Sequence, residues 1–502
     1  MTLDLNLVAT LPVLTPLLAA VVVLVADAAV PGEREVHLWL AAAGLVGGAL
    51  AVVPGLPQRS GDARGAFCLP TGECLYTADR LTSVLQLTAL AAAGVVLALA
   101  WQDWGRASRT GRAPVMAALV LGATGGAAAV PAAGDLGTLL VALELATLPA
   151  VGLVALADPR WSAERRARGV DGAVALLMTS LVSFGLVALG AALWVAATGT
   201  ALLSLPATHD PVLLLLASVF ILAGLGFKLS AVPFHAWTPV TYTTASLPVT
   251  AYLATVSKAA AVGAAVVLVR AVGEVDQTSL LAIALMAALS MSVGNVVALV
   301  QTDAVRLLAW STVAQAGWVL LPLASLSSRA VHAAGSYLVV YVLGTLLAFT
   351  VVVAVAEYHG PDGGAAGTSL EAHAGLLRRR PLLGLPLGLA LLTLAGLPPA
   401  VVGLVAKVVA LRPVAGDGTW WLAVVAALNV ALGVAVYVRW LVRVLGPAPL
   451  GSAPASGPVP AADAQAVPGG TAAGRTPVRV WTVVGVLSLL VVVWSVSPVG
   501  VV

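Results

Sequence analysis

The stretch "GFKLSAVPFHAW", residues 226–237, closes an apolar run that begins near Val212 and places Lys228 inside it. Pro233 follows five residues later and His235 seven. A lysine in so apolar a setting needs either a partner or a task. The question recurs, because the chain holds three lysines, Lys228, Lys258 and Lys407, each within a long apolar run. The other 22 basic residues are arginines, at the ends of such runs or between them.

Composition supplies the context. Of 502 residues, 60% are hydrophobic and 9% charged, and the mean hydropathy is +1.03. A soluble chain carries about 25% charged residues, so a large water-facing surface cannot be built from these. The apolar runs recur near the roughly 20 residues that a helix needs to cross a bilayer. The fold class is an all-α polytopic membrane protein. The first run lacks a basic leader and a clear cleavage site, and reads as a mature span. A net charge of +3 and a pI near 9 do not indicate nucleic acid, because the arginines sit in short loops between spans.

About fourteen spans are predicted, near 5–27, 36–55, 79–100, 113–132, 135–156, 171–196, 211–237, 247–270, 279–300, 306–324, 331–356, 381–411, 418–442 and 480–498. Alternating sides puts 16 arginines on one face, among them those of "GRASRTGR", "DPRWSAERRAR" and "TDAVR", with six on the other. Positive loops stay in the cytoplasm, so both termini are expected outside it. The seventh and twelfth runs are too long for a straight crossing, and each holds a breaker, Pro233 in one and "GLPP" with Pro398 and Pro399 in the other. Each also holds a lysine near the break. They lie five spans apart, and an odd shift reverses direction through the membrane, the pattern of inverted repeats around an ion path. The expected division is a three-helix segment at 1–112, a first repeat at 113–270 (helices 4–8), a second at 279–442 (helices 9–13), a flexible cytoplasmic linker at 446–479 and a last helix at 480–502. The linker is rich in Pro, Ala and Gly. The polar insert "EYHGPDGGAAGTSLEAHAGLLRRR" is expected to be a second loop on the same side.

Glu144, in "GTLLVALELATLPAVGLVAL", is the acidic residue placed deepest in a span. A charge at the centre of a helix costs about 2.5–3.5 kcal/mol on insertion scales, and such groups face a bundle interior or a hydrated cavity. If the fifth and seventh spans touch, Glu144 and Lys228 pair. A lysine that loses its partner in an apolar setting gives up its proton readily, whereas an arginine does not. Two readings stand, structural ion pairs with snorkelling lysines and a proton relay. Three lysines and one glutamate at mid-membrane depth favour the relay. His235, at the end of the seventh span, is suited to passing protons near neutral pH and equally to an interfacial role. The remaining histidines fall in loops or at span edges, without metal-ligand spacing. Cys68 and Cys74 lie in a loop assigned to the outside, with spacing that permits a disulfide. Two cysteines do not make an iron–sulfur site, and no nucleotide-binding glycine pattern occurs. The energy for ion movement is therefore expected from a partner or an existing gradient.

"GFKLSAVPFHAWTP" followed by "SLPVTAYLATVSKAAAVG" resembles the seventh and eighth helices of subunit N of bacterial respiratory complex I (NADH-quinone oxidoreductase), in the antiporter-like proton-channel family. "GNVVALVQTDAVRLLAWSTVAQAGWVL" resembles its ninth-to-tenth-helix segment and "LTLAGLPPAVVGLVAKVVAL" its broken twelfth helix. The resemblance covers most of residues 120–445. It implies fourteen helices with two inverted five-helix repeats, and a hydrophilic axis in which Glu144, Lys228, Lys258 and Lys407 occupy the positions of the family's proton-translocating residues, with His235 as a further relay. It implies no cofactor in this chain; quinone, flavin and iron–sulfur clusters are expected in partner subunits, both membrane and peripheral. The chain departs from the family after "WTP", where "VTYTTASLP" stands in place of an aspartate and a "GAP" segment, and in a basic cluster reduced to Arg306. A cation/proton antiporter subunit and a non-conducting structural membrane subunit are the alternative readings.

Overall fold

A computed structural model describes residues 6–30, 33–58, 62–106, 112–156, 161–204, 210–272, 277–358, 367–417, 419–447 and 477–498. Thirteen helices among them are long and apolar enough to cross a membrane. The first six are α1 (Leu7–Ala29), α2 (Arg34–Val52), α3 (Arg80–Arg106), α4 (Arg112–Ala129), α5 (Leu136–Ala155) and α6 (Ala163–Thr198). The seventh is α7 (Pro211–Leu229), followed by a short helix, α8 (Trp237–Thr244). Then come α9 (Leu247–Val272), α10 (Gln277–Ala298), α11 (Ala304–Leu323) and α12 (Ala330–Tyr358). After the short α13 (Leu376–Arg379), two half-length helices, α14 (Pro381–Ala395) and α15 (Val401–Gly416), share the twelfth expected span. The last two are α16 (Trp420–Leu445) and α17 (Val478–Val496). The protein is thus a polytopic helical membrane protein.

Polar side chains start these helices where the expected spans begin. Asp135, Asp210 and Asp303 accept hydrogen bonds from the first free backbone amides of α5, α7 and α11, groups that have no partner within the helix. Helices α9, α11 and α12 are buried on nearly every side chain and form the centre, whereas α1, α6 and α17 leave much of their surface apolar and outward. A helix that is apolar all round belongs in such a centre or against lipid. Small residues let the backbones approach, as where Gly190 and Gly224 bring α6 onto α7 and the Ser183 hydroxyl donates to the Gly224 carbonyl at 2.8 Å.

The structure adds three features to the expected plan. First, it is not wholly helical, because β1 (Arg64–Cys68) and β2 (Cys74–Ala78) form an antiparallel hairpin before α3, closed by a Cys68–Cys74 disulfide. Tyr76 on β2 accepts from Gln86 Nε2 at 2.8 Å, and burial pushes its phenol up to about 12. Second, the polar insert is not all loop. Leu370, His373 and Leu376 are buried, the Leu370 amide donates to the Thr302 carbonyl and that of Gly375 to the Arg443 carbonyl, each at 2.8 Å. Third, His37, expected at a span edge, is buried in α2 with Nε2 3.6 Å from Asp27. The linker at 446–479, apart from its first two and last three residues, lies outside the described residues, as do the arginine loop at 107–111, His209 and His359.

A buried charged axis at two helix breaks

The seventh span stops earlier than its proline. A helix continued through Pro233 would leave the Leu229 carbonyl without its amide donor, because proline has none, and the residue before a proline disfavours helical geometry. Helix α7 ends at Leu229, and Ser230 takes a left-handed conformation, φ 63°. The Ala231 amide donates to Gly226 at 2.9 Å and the Ser230 amide to Phe227 at 3.2 Å, the paired bonds of a Schellman ending. The twelfth span repeats this. Gly396 has φ 77°, the Leu397 amide donates to Leu392 at 2.9 Å and the Gly396 amide to Thr393 at 3.2 Å. Pro233, Pro398 and Pro399 lie exposed in the two connecting turns, and the Val232–Pro233 and Pro398–Pro399 peptides are cis.

A lysine borne on another helix, or on the following half-helix, closes each break. Lys258 of α9 is buried, and its Nζ donates to the Lys228 carbonyl at 2.9 Å and to Ser230 Oγ at 2.5 Å, with the Trp237 ring 4.7 Å away. Lys407 of α15 is likewise buried. Its Nζ donates to the Ala395 carbonyl at 2.6 Å and lies 5.3 Å from the Trp318 ring centre. Carbonyls at a helix C-terminus carry partial negative charge, and aromatic faces attract cations. Each break thus sets a lysine Nζ against helix-end carbonyls and an aromatic ring.

Lys228 has a full counter-charge. Its Nζ lies 3.0 Å from Glu144 Oε1 on α5 and donates to Thr147 Oγ1, one turn further on, at 2.8 Å. The side chains of Lys228 and Glu144 are 10% and 17% exposed, so water screens the pair little. The fifth and seventh spans thus meet at their charges.

Sequence reading missed the polar groups between Lys258 and Lys407. The Tyr341 hydroxyl donates at 2.7 Å to the Ala254 carbonyl, one turn before Lys258, and lies 3.2 Å from Thr312 Oγ1. Tyr337 donates to Gln315 Oε1, and Gln315 Nε2 donates to Tyr437 at 2.9 Å. Gln315, Tyr337, Tyr341 and Thr393 line a small cavity with Gly403 and Ala406, the last adjoining Lys407 in the chain. Their sequence signal is present but weak, namely Thr312 and Gln315 three apart in "STVAQAGW" and Tyr337 and Tyr341 four apart, each pair on one helix face. His235 lies in the turn between α7 and α8, half-buried, with its ring 5.3 Å from that of Trp310. No group of three or more His, Cys, Asp or Glu suited to a metal occurs among the described residues.

A bundle of this kind, with a lysine set at each of two helix breaks and a Glu144–Lys228 pair beside the first, defines a polytopic membrane protein with charged side chains inside its apolar core. Residues 133–433 match the family described as NADH:quinone oxidoreductase/Mrp antiporter, TM. NADH-quinone oxidoreductase subunit N 2 of Streptomyces griseus is 40% identical over 475 residues, covering 91% of this chain and 85% of that protein. Among solved structures, a chain of respiratory complex I from Thermus thermophilus superposes with a TM-score of 0.77 at 29% identity, covering 97% of each chain. A chain of the Mrp complex from Dietzia sp. has the same fold, with a TM-score of 0.81 at 21% identity, covering 98% of this chain and 95% of that one. The chain belongs to the NADH:quinone oxidoreductase/Mrp antiporter transmembrane family.

Proposed function

We propose that this chain is the proton-translocating membrane subunit of a complex I-type, quinone-reducing assembly, acting as part of an NADH:quinone oxidoreductase. The observation that carries this reading is the Glu144–Lys228 pair at 3.0 Å, set beside a second lysine that caps the break of α7. While the pair is closed, the Lys228 ammonium is held by Glu144 and Thr147. When a movement of neighbouring subunits opens it, the ammonium has lost its counter-charge in an apolar setting and yields its proton. Lys258, bonded to the main chain of Lys228, is the next station, and the Tyr341, Thr312, Gln315 and Thr393 groups lead from there toward Lys407. Carrying one charge against 100 mV costs about 2.3 kcal/mol, equal to a change of about 1.7 pKa units, within what the loss of one close counter-charge supplies. His235 is a further relay at the α7–α8 turn. Flavin, iron–sulfur and quinone sites belong to partner subunits, and the five-span offset of the two breaks reflects inverted repeats at 113–270 and 279–442.

The test is proton uptake by inverted membrane vesicles energised with NADH. Acidification driven by NADH and lost in the Glu144→Gln variant, with the assembly intact, is expected. Acidification that needs a sodium or potassium gradient and ignores NADH points instead to the cation/proton antiporter reading, which shares the fold of the Dietzia chain.

Both termini and the β1–β2 hairpin face outward in this reading, in the bacterial plasma membrane. After mild reduction, Cys68 and Cys74 are expected to react with a membrane-impermeant maleimide in spheroplasts and to be protected in sealed inverted vesicles. The opposite labelling inverts the topology. The crosslink closes a short loop, so its loss is expected to cost the hairpin about 2 kcal/mol and to appear as faster proteolysis between β1 and β2.

A further inference from the structure

The two helix breaks share one backbone ending and differ in the residue at its left-handed position. At the α14 ending the left-handed position is filled by Gly396, and at the α7 ending by Ser230. Glycine is the residue that such a position favours, because a Cβ is penalised there. What serine adds at this point, and glycine lacks, is a hydroxyl. Ser230 Oγ is fully buried and has two close partners, Lys258 Nζ and Thr238 Oγ1, each at 2.5 Å. Thr238, in the first turn of α8, is fully buried too. Three exchangeable groups therefore stand in line, Thr238, Ser230 and Lys258, with Ser230 two residues beyond the lysine that pairs with Glu144.

We infer that Ser230 and Thr238 form a two-hydroxyl proton wire that reprotonates Lys258 from the α7–α8 turn. The inference rests on the proposed proton-translocating function and adds a supply branch separate from the Glu144–Lys228 pair. After Lys258 has given up its proton, the neutral amine accepts a hydrogen bond from Ser230. The Ser230 O–H proton passes to Lys258 Nζ as the Thr238 O–H proton passes to Ser230 Oγ. Thr238 Oγ1 then takes a proton from a hydronium ion arriving at the turn that holds His235, where side chains are partly exposed, and leaves a water molecule behind. One O–H bond breaks and one forms at each hydroxyl, an N–H bond forms at Lys258, and both hydroxyls end neutral. When Lys258 is charged again, it donates to Ser230, the arrangement seen in the structure.

The experiment uses the whole assembly in inverted vesicles, with proton uptake measured per NADH oxidised. Thr238→Val keeps the shape and removes the hydroxyl, whereas Thr238→Ser keeps the hydroxyl and removes a methyl. Ser230→Gly removes the hydroxyl at a position whose backbone favours glycine, so loss of folding does not mask the result. Loss of a proton-transferring group typically costs 100-fold or more, so Thr238→Val and Ser230→Gly are expected to pump at least about tenfold more slowly. Thr238→Ser is expected to remain within about twofold of wild type, because the group that carries the proton is intact. A merely structural Thr238 predicts the reverse order, with valine tolerated and serine not, and that order overturns the inference. Lys258→Met serves as the reference. Normal pumping in Lys258→Met overturns the underlying reading and the inference with it. Loss in Lys258→Met with normal pumping in Thr238→Val overturns the inference alone.

Discussion

Lys228→Arg is expected to assemble normally and to pump at least about 100-fold less than wild type, the loss typical of removing a proton-transferring side chain. Arginine retains the positive charge beside Glu144 and hydrogen bonds to a carboxylate at least as well as lysine does. It does not release its proton within a protein. The substitution therefore separates the electrostatic role of Lys228 from its role as a proton carrier. A purely structural ion pair predicts that Lys228→Arg works and that Lys228→Met fails. Lys228→Met leaves Glu144 half-buried without a partner, and breaking a buried pair in this way costs about 3–5 kcal/mol. Its loss of pumping is therefore read together with the Lys228→Met/Glu144→Gln double variant, in which neither charge remains. That double variant is expected to recover assembly on a native gel and to stay inactive in NADH-driven proton uptake. Pumping at the wild-type rate by Lys228→Arg would sink the relay.

The second large effect is expected at Gly403, in the first turn of α15. A Cβ placed there would lie 1.9 Å from the Thr393 carbonyl oxygen of α14 and 2.8 Å from its carbon. The obstacle is main chain at the break itself, so no side-chain rotation relieves it. Thr393 also accepts the Gly396 amide, so displacing it disturbs the ending of α14. Gly403→Ala is expected to force α14 and α15 apart, to move Lys407 off the Ala395 carbonyl and to open the cavity lined by Gln315 and Thr393. Overpacking of this kind costs about 1–3 kcal/mol. The measurable results are a lower thermal stability of the purified assembly and loss of proton uptake while NADH oxidation by the peripheral subunits continues. Gly416, at the other end of α15, has open space at its Cβ position, and Gly416→Ala is expected to behave as wild type. Equal behaviour of the two variants would show that the close contact at Gly403 is dispensable.

The apolar spans and the helical membrane fold are legible in the residues alone, because the bilayer imposes one length and one polarity on anything that crosses it. The three lysines and Glu144 stand out for the same reason, since each is costly to bury and each is rare in this composition. Proline marks each break approximately, and the chain turns several residues earlier, where the carbonyl that proline cannot satisfy would fall. Three other features depend on contacts between segments distant in the chain. The β1–β2 hairpin has five residues in each strand, too few to display a clear apolar periodicity. The packed part of the insert draws its partners from Thr302 and Arg443, more than 65 residues away in either direction. Serine, threonine and tyrosine hydroxyls are common inside membrane helices, so Ser230, Thr238 and Tyr341 carry no signal until their neighbours are known.

The sequence by itself determined that this is a helical membrane protein with charged residues inside its apolar spans, because burial energy acts on each segment independently of its neighbours. Only the tertiary structure decided which charge meets which, that Lys258 and Lys407 each cap a severed helix, and that a serine stands at one break where glycine stands at the other. Those outcomes depend on distances of about 3 Å between helices far apart in the chain, and no local pattern of residues specifies them.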